Sequence, residues 1–247
     1  MSIVMLFSIT LNGFLGYTIT PPRVEKALFG AQEITESFEV QNLSTDTLRI
    51  KVEFEDFEID ADGKVIFHPA GTFKNSVASR SVVNPEEFSI MPKSVENVRL
   101  TFRMPQDSAA AEYHGMIIFK SQPIPSQYKP SILVAGEIGV PLYYAVANLL
   151  VRDASFDSLT IVGDSACIVF HNAGNIHVRV IGEAKIVTMD ETIAGSDSIP
   201  EFVVLPGQDR KVTVPLDPKL KKGDYFLRVR LDYGALQLME GELRFTK

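Results

Sequence analysis

"SFEVQNLSTDTLRIKVEF", Ser37 to Phe54, decides the fold. It reads as an alternating apolar run, an Asn, a short polar turn and a second alternating run. Phe38 and Val40 share one face before Asn42. After the turn, Leu48, Ile50, Val52 and Phe54 share one face, with Arg49, Lys51, Glu53 and Glu55 opposite. A period of two with one apolar and one charged face is half-buried antiparallel strand, not helix. "ACIVFHNAGNIHVRVIGEAKI", Ala166 to Ile186, has the same grammar.

The repetition extends outward from these two stretches. "FSIMPKSVENVRLTF" is echoed by "FVVLPGQDRKVTVPL", which aligns Phe88 with Phe202, Pro92 with Pro206, Val98 with Val212 and Leu100 with Val214. "AAAEYHGMIIFKS" is echoed by "KKGDYFLRVRLDYG", which aligns Tyr113 with Tyr225. The series Asn42, Pro92, Tyr113 therefore recurs as Asn172, Pro206, Tyr225. The first copy is longer because it carries an extra hairpin, with Asp62-Gly63 at its turn, and the loop "HPAGTFKNSVASR". Each copy is about a hundred residues of short alternating strands with turn signals between them, the pattern of an immunoglobulin-like sandwich. The expected fold is all-β, two tandem immunoglobulin-like β-sandwiches, over 17–147 and 148–247. Val40, Ile50, Val52, Phe102 and Ile117 are expected in the first core, and Val169, Val178, Val214, Leu227 and Val229 in the second. An acidic residue and Tyr opening a late strand, as in Glu112-Tyr113 and Asp224-Tyr225, fits a tyrosine corner.

Composition excludes several function classes. The 247 residues carry 24 Lys and Arg against 31 Asp and Glu, a formal charge of -7, with no basic stripe. Nucleic acid is therefore not an expected partner, since phosphate neutralisation needs clustered Lys and Arg. The single Cys, Cys167, cannot form an internal disulfide and is expected as a small buried hydrophobe. Met1 to Gly16 is apolar and has the length of a signal-peptide core, so the chain is expected to be exported, with mature protein beginning near Tyr17.

Catalytic chemistry has little foothold. His171 and His177 flank "NAGNI", which reads as a hairpin turn, and two facing His can start a zinc or copper site. No third ligand lies nearby in sequence, so no metal and no cofactor are expected. "GDSAC" at Gly163 to Cys167 lacks the G-x-S-x-G pattern and its strand-turn-helix setting. The Asp60, Asp62, Gly63 cluster fails as a calcium loop, because Pro69 stands where the bidentate Glu belongs. Glu55-Asp56 and Glu86-Glu87 read as solvated pairs. "NLS" at Asn42 is a formal glycosylation sequon, but Asn in such a turn has backbone reasons of its own. The chain is expected to be no enzyme and to take no small-molecule substrate.

"SILVAGEIGVPLYYAV" is the stretch with functional promise. Ile132, Val134, Ile138, Val140, Leu142, Tyr144 and Val146 share one parity, interrupted at Gly136. The face either fills a core or, at a sheet edge, pairs with another chain by strand addition.

The order "ITPPRVEKALFGAQEITESFEVQN…NPEEFSIMPKS…AEYHGMIIFKSQPIP…ILVAGEIGVPLYYAV" resembles the periplasmic pilus-assembly chaperones from Thr18 to about Val146. The resemblance implies two immunoglobulin-like domains and a protein partner, an envelope, pilus or surface subunit bound outside the cytoplasm, in the periplasm. It implies a donor face at Ile132 and Val134, with Ile138 and Val140 as further partner contacts on the same parity, and a cleft cation at Lys26 or, less closely, Arg23. The third donor position falls on Gly136, and the family's second cleft cation falls on Pro141, which carries no charge. The alternative is a structural or adhesive surface module without chaperone activity.

Overall fold

The computed structural model describes residues 16–106, 110–122, 136–217 and 219–247. The leader expected over 1–16 lies outside the described residues except for Gly16. In the first sandwich the strands are β1 (Tyr17–Thr20), β2 (Val24–Leu28), β3 (Glu33–Asn42), β4 (Leu48–Ile59), β5 (Val65–Pro69), β6 (Ser81–Asn84), β7 (Glu87–Ile90), β8 (Val95–Arg103), β9 (Glu112–Gln122) and β10 (Glu137–Val146). One sheet has the order β1-β3-β8-β6. The other has the order β2-β10-β9-β4-β5, with β7 also paired to β4. The chain changes sheet between β1 and β2, across the cis Thr20–Pro21 bond.

Alternating side chains fill the space between the two sheets. Val40, Ile50, Val52, Phe102 and Ile117 are all buried, as the strand parity requires. Phe38 meets Phe119 with ring centroids 5.8 Å apart, and Phe102 stacks on Tyr144 at 4.1 Å. The Asp62-Gly63 turn forms between β4 and β5, and Gly63 takes the positive φ of 86° that a residue with a Cβ adopts at a cost. Asp56 is a correction. Far from solvated, it is fully buried, accepting hydrogen bonds from the Phe73 N–H at 2.9 Å and the Ser76 hydroxyl at 2.5 Å. Its carboxylate holds the long 70–77 loop down, so its burial is compensated by donors.

The second sandwich contains β11 (Ala154–Val162), β12 (Ser165–Asn172), β13 (Val178–Thr188), β14 (Ile193–Val204), β15 (Asp209–Pro215), β16 (Asp224–Asp232) and β17 (Met239–Thr246). Its sheets are β11-β12-β15 and β14-β13-β16-β17. Ile168, Phe170, Val180, Leu227 and Leu231 lie in the core between them. Packing divides the chain into two compact units: one runs to Asp56 and resumes over His68–Tyr144, and the other takes Phe57–Phe67 and Ala145–Lys247.

Three readings of the second sandwich are corrected. Ala166, Ile168 and Phe170 point inward on β12, which puts Val169 and Cys167 on the half-exposed outer face. Val178, Val214, Leu227 and Val229 are buried as expected. The "NAGNI" segment is not a hairpin, because β12 and β13 belong to different sheets and the chain crosses the sandwich there.

The repeated Asn explains the repetition. Asn42 and Asn172 are both fully buried. The Asn172 amide donates to the carbonyls of Ile176 and Val204, each at 2.9 Å, and accepts from the Gly174 N–H at 3.0 Å. The Asn42 amide donates to Asp46 at 2.8 Å and Ile90 at 3.1 Å, and accepts from the Ser44 N–H at 2.8 Å. In each copy the Asn ends a strand of one sheet, closes its own turn and reaches the carbonyl of a strand in the other sheet. It satisfies backbone groups that the crossover would leave orphaned. A buried amide engaged in this way has no room for a glycan at the Asn42 sequon.

Candidate partner-binding strand

Of the residues expected to meet a partner, Lys26 lies on β2, Ile138 and Val140 lie on β10, and Arg23 immediately precedes β2. Ile132 and Val134 lie outside the described residues. Ile138 is half-buried on β10, whereas Val140 is only 1% exposed and serves the core. Leu142, Tyr144 and Val146 are buried on the same parity. Over Glu137–Val146, β10 is flanked by β9 on one side and β2 on the other, so it is not simply an outer edge. β2 has 5 residues and β10 has 10, so β2 cannot pair along the whole of β10.

The base of β10 is tied down by a polar cluster. The Gly136 N–H donates to the Ser121 hydroxyl at 2.8 Å, and the Ser121 N–H donates to the Gly136 carbonyl at 2.8 Å. The Tyr17 hydroxyl, fully buried, lies 2.7 Å from the Phe119 carbonyl and 3.0 Å from the Gly136 carbonyl. Burial pushes the Tyr17 phenol well above the usual tyrosine range, and the Glu137 carboxylate adds to the effect. Gly136 thus interrupts the apolar parity for a reason. Its backbone joins β1, β9 and the start of β10.

On the outer face, Lys120 sits among three carboxylates, Glu53 at 3.1 Å, Glu55 at 3.2 Å and Glu137 at 3.6 Å. The hydrogen bond to Glu53 is the largest of the effects that hold the Lys120 ammonium well above the usual lysine range.

The two candidate cations already have acidic neighbours. Lys26 is an exposed residue of β2, and its Nζ lies 3.9 Å from Glu36 Oε1. Arg23, which immediately precedes β2, lies 3.5 Å from Glu25. Glu36 Oε1 and the Tyr144 hydroxyl are both buried without a hydrogen-bond partner. Burial raises the Tyr144 phenol far above its ordinary value, with the Glu36 charge second. Sequence reasoning missed Glu36, because β3 lies in the other sheet and no local spacing brings it toward Lys26. Pro141 is half-buried and offers no charge. Lys26 therefore faces an acid.

No protein-family model and no curated protein matches the sequence. Solved structures do match the fold. The YadV chaperone is 12% identical, with 93% of this chain and 100% of that one covered at a TM-score of 0.53. The fold is that of a pilus-assembly chaperone. The E. coli chaperone DraB is 16% identical, covering 93% of this chain and 98% of its own, with a TM-score of 0.51. The CsuC-CsuE chaperone–tip adhesion subunit pre-assembly complex of Acinetobacter baumannii Csu pili matches with 14% identity, 92% and 97% coverage and a TM-score of 0.51. Among the described residues no helix is long and apolar enough to cross a membrane.

Proposed function

We propose that this chain is an exported, non-enzymatic protein-binding module that holds envelope, pilus or surface subunits by strand pairing along the segment leading into β10. The observation that carries this reading is the fold: both sandwiches, over more than nine-tenths of the chain, match chaperones, one of them in a complex with a tip subunit. The alternating face of Ile132, Val134 and Ile138 supplies side chains for a partner's pockets, while main-chain hydrogen bonds supply affinity. Lys26 and Arg23 are secondary contacts, since each must leave a carboxylate to meet an acidic partner. The extracytoplasmic, periplasmic location follows from the same reading together with the apolar Met1 to Gly16 stretch, and N-terminal sequencing from the native host checks it. A chain starting near Tyr17 is expected; an intact Met1 on cytosolic protein overturns the location.

The test of binding is the double variant Ile132→Ser with Val134→Ser. Each side chain removes apolar area worth about 1.5–3 kcal/mol when buried against a partner. Capture of an envelope subunit should fall at least tenfold, with the melting temperature little changed. A large fall in melting temperature, with no subunit captured by the wild-type chain, would make this face core and leave a structural surface module as the reading.

A further inference from the structure

Asp157, His171 and Asp209 come from three adjacent strands of one sheet, and their ligand atoms all lie within 4.8 Å of one another. His171 and Asp209 are directly opposed across β12 and β15, with Nδ1 2.6 Å from the carboxylate oxygen. Asp157 arrives by a different device. Phe156 and Leu159 both pack toward the core although they stand three apart, an odd interval that a regular strand cannot accommodate. The register shifts between Phe156 and Ser158, and Asp157 is the extra residue of the bulge. A bulge re-aims a side chain, and here the bulged residue is the third donor.

The architecture does not demand these residues. In the first sandwich the pair Gln41 and Val95 occupies the same register, beside the buried Asn42 as His171 and Asp209 stand beside Asn172. The fold accepts an amide opposite a hydrocarbon at that place. One imidazole and two carboxylates in the second copy are a departure with its own chemistry.

We propose that Asp157, His171 and Asp209 form a binding site for a borderline divalent cation of the zinc class. Donors at ~2.0–2.2 Å from a tetrahedral ion stand roughly 3.3–3.5 Å apart. His171 and Asp209 stand closer than that and no pair is further apart than 4.8 Å, so small side-chain rotations suffice to bring all three onto one ion. The ion takes the place of the hydrogen between Nδ1 and the Asp209 oxygen, and the imidazole carries its proton on Nε2. Two carboxylates balance the double charge, and the imidazole selects zinc, copper or nickel over magnesium and calcium. The His171 and Asp209 side chains are 32% and 46% exposed, so the fourth position opens to water or to a donor from a bound protein.

The test uses untagged, metal-free full-length chain, dialysed to equilibrium against Zn²⁺, with bound metal measured by mass spectrometry. Saturable binding of about one ion per chain is expected, together with the intense visible absorption of four-coordinate cobalt when Co²⁺ replaces zinc. His171→Gln combined with Asp209→Val copies the pair that the first sandwich carries, so it keeps the fold, checked by circular dichroism, and should abolish binding. Asp157→Asn should weaken it at least tenfold, and His177→Ala should leave it unchanged. Absence of stoichiometric zinc in the wild-type chain, undiminished binding in the double variant, or equal competition by Mg²⁺ would each overturn the proposal.

Discussion

Replacing Asn172 with Ala should cost the protein about 2–4 kcal/mol, and the figure follows from counting what each orphaned group retains. The side chain donates two hydrogen bonds, to Ile176 and Val204 carbonyls at 2.9 Å. Truncation removes both donors at a fully buried place that water does not reach. A buried acceptor left unpaired costs ~1–3 kcal/mol, and a buried hydrogen bond has a net worth of about 1 kcal/mol. The third bond matters less. The Gly174 N–H that loses the Asn172 oxygen still reaches the Asp153 carbonyl at 2.9 Å. Two lost buried hydrogen bonds at about 1–2 kcal/mol each give the estimate. The assay is urea unfolding of the full chain, followed by circular dichroism. Asn172→Asp sharpens it, because an ionised carboxylate would face the same two carbonyls, so the loss should be at least as large. If Asn172→Ala stays within about 1 kcal/mol of wild type, the amide does not lock the two sheets together, and the recurrence of this Asn needs another explanation.

Ile117→Ala and Ile168→Ala, both fully buried, should each cost about 2–5 kcal/mol in the same assay, whereas Val169→Ala on the outer face should cost less than about 1 kcal/mol. Tyr225→Phe removes a hydroxyl that donates to the Lys221 carbonyl at 3.0 Å, the tyrosine-corner bond, and should cost about 1 kcal/mol. Burial, helped by Glu137 and Glu36, holds the phenols of Tyr17 and Tyr144 protonated above the ordinary tyrosine value. Above about pH 10 the folded chain then binds more protons than the unfolded chain, so this contribution is whole below that pH and is lost as pH rises past it. Phenolate absorbance should show these two groups ionising only together with unfolding; full ionisation of an intact fold would refute it.

The sequence was legible wherever one parity was apolar and the other charged. β4 is such a strand, and Ile50 and Val52 fall inside as the pattern requires. It misled at "ACIVF", where both parities are apolar and only the buried Asn172 and the half-exposed His171 could have fixed the face. Those two were hard to use, because a buried Asn contradicts the simple rule that polar side chains face water. Asp56 failed for the same reason. Its donors come from the 70–77 loop, and composition cannot announce a loop folded back onto a carboxylate. The crossing at "NAGNI" has the residues of a local hairpin, and long-range pairing of β12 with β15 decides otherwise. Of the candidate partner strand, the apolar parity was readable, while the Lys26–Glu36 approach arises only when β2 and β3 are brought together.

Comparing the two copies separates scaffold from chemistry. What both carry in the same register, the crossing Asn and the Tyr that opens a late strand, is used in the same way or stands at the same place. Such residues answer to the sandwich and say nothing about a task. Function is then to be sought where corresponding places differ. In the first copy that is the stretch into β10, where Gly136 interrupts an otherwise continuous apolar face and Lys26 meets an acid. In the second copy it is the pair of His171 and Asp209, where the first has Gln41 and Val95. The two differences have unlike chemistry, one a strand face suited to another backbone and the other a set of cation donors. The experiments that probe them are correspondingly independent: the Ile132 and Val134 variants should leave zinc binding intact, and the His171 and Asp209 variants should not move the stability of the first sandwich.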